Sequence, residues 1–368
     1  MSRCSATRKK RWPGLTADHS HGFGTQRTST ASVLFLRYSM NERFLHIRRL
    51  AVAATLIACG VVSVSCGRDD RLELLVRHNA PPEQPQHRTL LHVADLLSER
   101  TGGQIILTVQ PSISIVDHEE VILEGLRDIA MASLAGLSRF YPPLGAFEAP
   151  YMFRSVDHFY ATVDSDVGQR IRREFEARSG FHVLDIWHQG YRHVTLVDTP
   201  ARTPEEFSSV RLRVPSNIMF VEAARILGAQ PISASFENVA VGLRSGMFDG
   251  QENPLPTIAA MEFDRLSNYL VLTSHVLSTI TPIMSKQHWE SLSCRDQQII
   301  EQTFRDGRVY NREIIEADEN RLIDEFADAG LEIIRPDLGV FRERARGSWR
   351  KYEELWGASL VDEIQAVE

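Results

Sequence analysis

The segment Arg211-Leu-Arg213-Val-Pro215, followed by Asp249-Gly-Gln-Glu-Asn253, puts guanidinium, carboxylate and amide groups into one stretch of α/β character. In the run Val210 to Val214 a period of two sets Val210, Leu212 and Val214 on one face of a strand and Arg211 and Arg213 on the other. Pro215 ends that strand. An arginine at a strand end, next to a turn, aims its planar fork into a cleft, where paired parallel hydrogen bonds to a carboxylate are strong and geometrically selective. The plain alternative is a surface ion pair. No nucleophile accompanies these groups, so the chemistry they suggest is capture of an acid.

Other candidate chemistry is thinner. Asp249 and Glu252 have the types of a glycosidase acid pair, but carboxylates three apart at a turn are common and no second acid is placed across a cleft. Asp117-His118-Glu119-Glu120 lacks a second histidine at i+4 and reads as a helix start whose acids favour the N-terminal dipole. His275 has no cysteine or aspartate at a telling spacing and reads as structural. There is no glycine-rich phosphate loop and no serine elbow. The expectation is therefore no catalytic residue, no metal and no cofactor.

The elements that must position the arginines come from a chain of 368 residues, enough for about two domains. Residues 1–66 differ from the rest. Met40 reads as the true start, with Arg43, Arg48 and Arg49 before the apolar run Leu50 to Val62, the form of an export signal and too short for a comfortable membrane span. Two cleavage patterns stay open, an ordinary site after Ser63-Val64-Ser65 and a lipid-bearing cysteine at Cys59 or Cys66. Cys294 alone remains in the body, so no internal disulfide is available there. Residues 1–66 carry a net +8, which leaves −15 on the remainder of a chain whose formal total is −7. An acidic body argues against nucleic acid, and any anion must be held by local arginines against the overall field.

From Leu72 strands and helices alternate: a strand to Val76, a helix Arg88 to Arg100 stopped at Gly102-Gly103, a strand Gln104 to Val109, a helix Glu119 to Leu126 and a strand Asp128 to Ser133. This βαβαβ order predicts a mostly parallel sheet. Tyr141 to Tyr151 reads as a loop, His158 to Ala177 as a helix and Phe181 to Trp187 as a strand. A second cycle starts near Arg192 and continues through the Arg213 strand, a helix Asn217 to Leu227 and a helix Phe236 to Ser245. Pro282 lies in a returning strand, and Arg295 to Ala329 is a long helix. Two α/β lobes with a cleft between them follow, with ligand expected at the carboxyl ends of strands.

The ordered series Gly190-Tyr-Arg192, Thr203-Pro-Glu-Glu-Phe207, Arg211-Leu-Arg-Val-Pro215, Leu227-Gly-Ala229 and Asp249-Gly-Gln-Glu-Asn253 resembles the extracytoplasmic solute receptors of TRAP transporters, the DctP-like family. The resemblance covers nearly all of residues 71–350, supported by Arg100-Thr-Gly-Gly103 and Ala149-Pro-Tyr-Met-Phe153. It implies an α/β two-lobed periplasmic binding protein fold with a ligand cleft between lobes and a long connecting helix. Lobe I would be residues 71–189 with 279–318, and lobe II residues 190–278 with 319–368. It implies that Arg213 forms the main salt bridge to a substrate carboxylate, that Arg192 and Asn253 assist, and that Asn79, Phe236 and Ser133 line the pocket.

Three departures bear on the ligand. Ser133 stands where sialic-acid receptors of the family carry an acid, Gln84-Pro-Gln-His87 where many members have a His-Pro pair, and Asn238 where a glutamate is usual. On residues alone Arg192 reads first as an ordinary exposed strand charge, and Asn253, before Pro254, suits a helix cap worth about 1 kcal/mol. The resemblance implies a periplasmic protein that captures a small organic acid and delivers it to a membrane permease, with the membrane met directly only through a lipid on Cys59 or Cys66. A sensor subunit that signals to a kinase and a periplasmic hydrolase using Asp249 or Glu252 are the alternatives. C4-dicarboxylate, sugar acid and keto acid are all open as ligand.

Overall fold

The computed structural model describes residues 71–111 and 128–368, and Arg71–Glu368 forms one compact unit. The export segment with Cys59 and Cys66, the helix expected over Glu119 to Leu126 and the Asp117-His-Glu-Glu run lie outside the described residues.

The strands are β1 (Leu72–His78), β2 (Ile105–Pro111), β3 (Asp128–Ala132), β4 (Phe181–Val183), β5 (Trp187–Leu196), β6 (Arg211–Val214), β7 (Gln230–Ser233), β8 (Gly250–Pro254), β9 (Tyr269–Val271), β10 (Leu277–Ser285) and β11 (Glu332–Ile334). The first helices are α1 (Pro85–Thr101), α2 (Leu134–Leu137), α3 (Val156–Asp164), α4 (Asp166–Ser179), α5 (Pro204–Phe207), α6 (Ile218–Leu227) and α7 (Val239–Arg244). They are followed by α8 (Leu255–Ala260), α9 (Lys286–Ser291), α10 (Cys294–Asp328), α11 (Leu338–Trp349), α12 (Glu353–Trp356) and α13 (Leu360–Gln365).

Strand order runs β2-β1-β3-β10-β5-β8-β6-β7. The outer parts are parallel, as the βαβ order predicts: β1 pairs with β2 and β3, and β6 with β7 and β8. The middle corrects the expectation of a mostly parallel sheet. β10 is antiparallel to β3, β4 and β5, and β5 is antiparallel to β8 and β9, so the sheet is mixed. The two crossing strands are long and buried over most of their length, and nothing in their sequence marks direction.

Boundaries shift for local reasons. The helix expected over His158 to Ala177 is two, because Ser165 ends α3 and its hydroxyl caps α4 by accepting from Gly168 N. Phe181 to Trp187 divides into β4 and the start of β5. The loop expected over Tyr141 to Tyr151 contains a buried 3₁₀ helix, Pro142–Glu148, and Phe236–Asn238 is a 3₁₀ turn before α7.

α10, with 35 residues and a length of about 52 Å at 1.5 Å per residue, touches two cores. Its Ile300 and Phe304 join Leu74, Val76, Leu90, Val93, Ile129 and Trp187, while Leu322 and Phe326 join Val239, Phe248, Leu255 and Phe263. Gly307 permits the close approach of α1, because a Cβ there would lie 2.5 Å from Val93 Cγ2. The seam is fixed by Thr89 Oγ1 donating to Asn311 Oδ1 at 3.2 Å and Asn311 Nδ2 donating to the His188 carbonyl at 2.8 Å. Among the described residues no helix is long and apolar enough to cross a membrane.

Candidate functional site

A cavity of about 370 Å³ opens where the ends of β1, β3, β5 and β8 meet α1 and α8. Of the six residues singled out from sequence, Asn79, Ser133, Arg192, Phe236 and Asn253 line it, and Arg213 is not among the lining residues. Gln84, Gln86, Gln189 and Arg139 also line it; the first two lie in the Gln84-Pro-Gln-His87 departure, and nothing in the residue pattern marks the other two.

β5 brings Gln189 and Arg192 to this wall through a bulge. The register against β10 slips between Ser278 and Thr279, so Gly190 faces Ser278 and His188 faces Thr279, leaving Gln189 as the extra residue. Gly190 takes φ +94°, and a Cβ there would lie 2.5 Å from Glu319 Oε1. A bulge re-aims side chains, and here the re-aimed residue lines the cavity.

Arg192 is 6% exposed and fully engaged. Its Nε and Nη2 grip both oxygens of Glu252, with Nη2 to Oε1 at 2.8 Å. Nη2 also reaches the Glu252 carbonyl at 2.7 Å and Asn253 Oδ1 at 3.1 Å, and the guanidinium lies 4.8 Å from the centre of the Phe220 ring. Burial works to raise the Glu252 carboxyl, but Arg192 and a hydrogen bond from His275 hold it below its usual range. Burial lowers His275, so it stays neutral at pH 7. Its Nε2 then donates to Glu252 Oε2 at 3.1 Å, and Nδ1 accepts from Thr273 Oγ1 at 2.7 Å. His275 is structural, as its sequence context suggests, and its work is to hold Glu252.

Arg213 is 2% exposed in β6, opposite Gln251 of β8. Nε and Nη2 donate to the Ala234 carbonyl at 3.0 and 2.6 Å, while Nη1 is buried without an acceptor. Burial lowers its pKa to about 10, opposed by Glu252 and aided by Arg192, so the group remains cationic at neutral pH. The two arginines that share a face of β6 take different roles. Arg211 pairs with Asp249 through Nε at 2.9 Å and Nη2 at 2.5 Å and ties β6 to the turn before β8, whereas Arg213 keeps one donor unspent. Both acids of the hydrolase alternative are thus held by arginines.

The remaining walls are set by caps and buried acceptors. Ser133 Oγ accepts from Gly136 N at 2.9 Å and caps α2. Glu148, fully buried, accepts from Ala135 N and Thr279 N at 2.6 Å each and fastens α2 to β10, while burial raises its carboxyl. Asn217 caps α6 at Met219 N and donates to the Ala135 carbonyl at 2.8 Å. Asn253 does not cap α8, whose N-cap is Pro254; its Nδ2 donates instead to Gln251 Oε1 at 2.5 Å. Phe236 packs edge-on to Phe263 with ring centres 6.0 Å apart. Among the described residues no cluster of histidine, cysteine and acid groups is arranged to hold a metal ion.

The comparisons with known proteins agree with this architecture. The family described as bacterial extracellular solute-binding protein, family 7 (DctP) matches residues 76–355. The sialic acid-binding periplasmic protein of Vibrio cholerae is 30% identical over 278 residues, 75% of this chain and 86% of that protein. The 2,3-diketo-L-gulonate-binding periplasmic protein of Escherichia coli is 27% identical over 288 residues, 77% of this chain and 87% of that one. A TRAP periplasmic solute-binding protein of Roseobacter denitrificans, solved with bound 3-deoxy-D-manno-oct-2-ulosonic acid, superposes with a TM-score of 0.75 at 26% identity, covering 81% of this chain and all of that one.

The chain belongs to the DctP family of TRAP periplasmic solute-binding proteins. It has their mixed α/β binding-protein fold with the long helix α10, it is a solute-binding protein and not an enzyme, and membership implies a permease partner.

Proposed function

We propose that this protein captures a small organic acid by its carboxylate and hands it to a TRAP permease, with Arg213 as the principal partner and Arg192, Asn253, Asn79, Phe236 and Ser133 forming the surrounding site. The observation that carries the reading is Arg213 Nη1, a buried cationic donor with no acceptor. Such a donor is costly to leave unmet, and a carboxylate meets it with a short charge-assisted bond. Arg192 supports the reading differently: already neutralised by Glu252, it orients Asn253 without needing to move. The named ligands of the relatives, sialic acid, 2,3-diketo-L-gulonate and 3-deoxy-D-manno-oct-2-ulosonic acid, are all carboxylic acids.

Capture would proceed by closure of two lobes, residues 71–189 with 279–318 against residues 190–278 with 319–368. The strands β5 and β10 and the middle of α10 are the connections that would flex. Closure would bring Arg213 against the bound acid. The Leu56-Ile57-Ala58-Cys59 pattern and Cys66 support anchoring of the mature protein by a lipid on one of these cysteines, which mass spectrometry of protein from the cell envelope tests.

Thermal denaturation in the presence of a library of carboxylic acids, each paired with its primary amide, tests the central reading. An acid at 100 times its dissociation constant should stabilise the protein by about 2.7 kcal/mol, and its amide should not. Equal stabilisation by acid and amide would remove the carboxylate from the account.

A further inference from the structure

We infer that Gln86 and Gln189 make the site selective for hydroxylated monocarboxylates, the polyhydroxy acids, over alkyl acids and dicarboxylates. The inference rests on the carboxylate reading above and concerns the opposite end of the ligand.

The charge of the cavity wall is the first ground. No aspartate or glutamate is among its lining residues, so an ammonium group has no partner there. Of the two lining arginines, Arg192 is neutralised by Glu252, and Arg139 is an exposed side chain lying over the Phe140 ring at 4.8 Å. The deeply buried polar lining apart from Arg192 consists of neutral amides: Gln84, Gln86 and Asn253, each 7% exposed or less. An amide offers both a donor and an acceptor, which matches a hydroxyl and gives a second carboxylate no compensating charge.

The direction of the hydrogen bonds is the second ground. Arg192 Nη1 donates to Ser278 Oγ at 3.4 Å, and the Ser278 hydroxyl donates to Gln189 Oε1 at 3.4 Å. This orients the Gln189 amide, whose Nε2 donates to Gln86 Oε1 at 3.3 Å. The chain ends at Gln86 Nε2, which is buried and has no acceptor. With Arg192 donating at its head and the Ser278 hydroxyl donating onward, the series ends in a buried donor that calls for an oxygen. The Gln189 bulge in β5 and the Pro85 start of α1 place the two amides together.

Calorimetric titration of the full chain with D-gluconate, D-galactonate, hexanoate and succinate tests the inference. The wild-type protein should bind at least one aldonate about tenfold or more tighter than hexanoate and succinate. Gln86→Leu should weaken that aldonate about tenfold and leave hexanoate unchanged, and Gln86→Met, which keeps the side-chain length, should do the same if the leucine variant folds poorly. A purely structural role for Gln86 would weaken all the acids equally and overturn the inference, as would a wild-type preference for hexanoate or succinate. Arg213→Ala separates the two readings. If it abolishes binding while Gln86→Leu leaves the preferences intact, the carboxylate reading stands and this inference falls; a wild-type protein that binds neither aldonate overturns this inference, while the carboxylate reading rests on the acid and amide pairs.

Discussion

The Arg192 guanidinium is clasped by both carboxylate oxygens of Glu252 in a pair whose members are 6% and 1% exposed, so this cavity-lining arginine is already neutralised. This divides the labour between Arg192 and Arg213. On the proposed reading Arg192 shapes the wall, and Arg213, which keeps one unmatched donor, meets the anion.

Breaking that clasp from one side leaves a buried charge without its partner. Glu252→Gln should lower the unfolding free energy by about 3–5 kcal/mol, read from the urea midpoint at neutral pH. A loss below about 1 kcal/mol would mean that solvent, not Glu252, satisfies Arg192.

Gly190 is the backbone device that creates the bulge. Gly190→Ala forces a side chain into φ +94° and against Glu319, and should cost about 1–3 kcal/mol of stability. It should also weaken ligand binding, because Gln189 is the bulged residue and Arg192 follows it in β5. A variant with wild-type melting temperature and wild-type affinity would show that the bulge does not position the site.

Glu319 gives the fold a pH dependence that a difference experiment isolates. It accepts from Tyr191 N at 3.1 Å, and burial pushes its carboxyl up from 4.5 to about 7. A carboxyl raised on folding binds more protons folded than unfolded, so its stabilisation is complete below about 4.5 and is lost as pH rises through about 7. His188 and His193, lowered to about 3 by burial, run the other way: they favour folding above 6.5 and withdraw that support as pH falls toward 3. Glu319→Gln removes only the first effect. Wild-type stability relative to the variant should therefore fall between pH 5 and pH 8, and a constant difference would contradict the assignment.

Much of this was legible in the sequence because it rests on period and punctuation. The two-residue alternation around Arg213, the stop at Pro215, the Gly102-Gly103 end of α1 and the breaker-free run of α10 each follow from local physics. The antiparallel middle of the sheet was not, since β5 and β10 are buried over most of their lengths and nothing in their residue patterns reveals direction. The site divides in the same way. Residues in the ordered motif series are visible, while Gln86 and Gln189 matter only because a bulge and a helix start, far apart in sequence, bring their amides to 3.3 Å. Glu148 was hidden inside a segment that reads as loop, yet its carboxylate fixes α2 against β10.

The most direct test of the account is the affinity of Arg213→Ala for whichever carboxylic acid stabilises the wild-type protein most, measured by titration calorimetry with folding verified by circular dichroism. Removal of the buried guanidinium should cost about 2–5 kcal/mol of binding free energy while the fold persists. Undiminished affinity in a folded Arg213→Ala protein would contradict it.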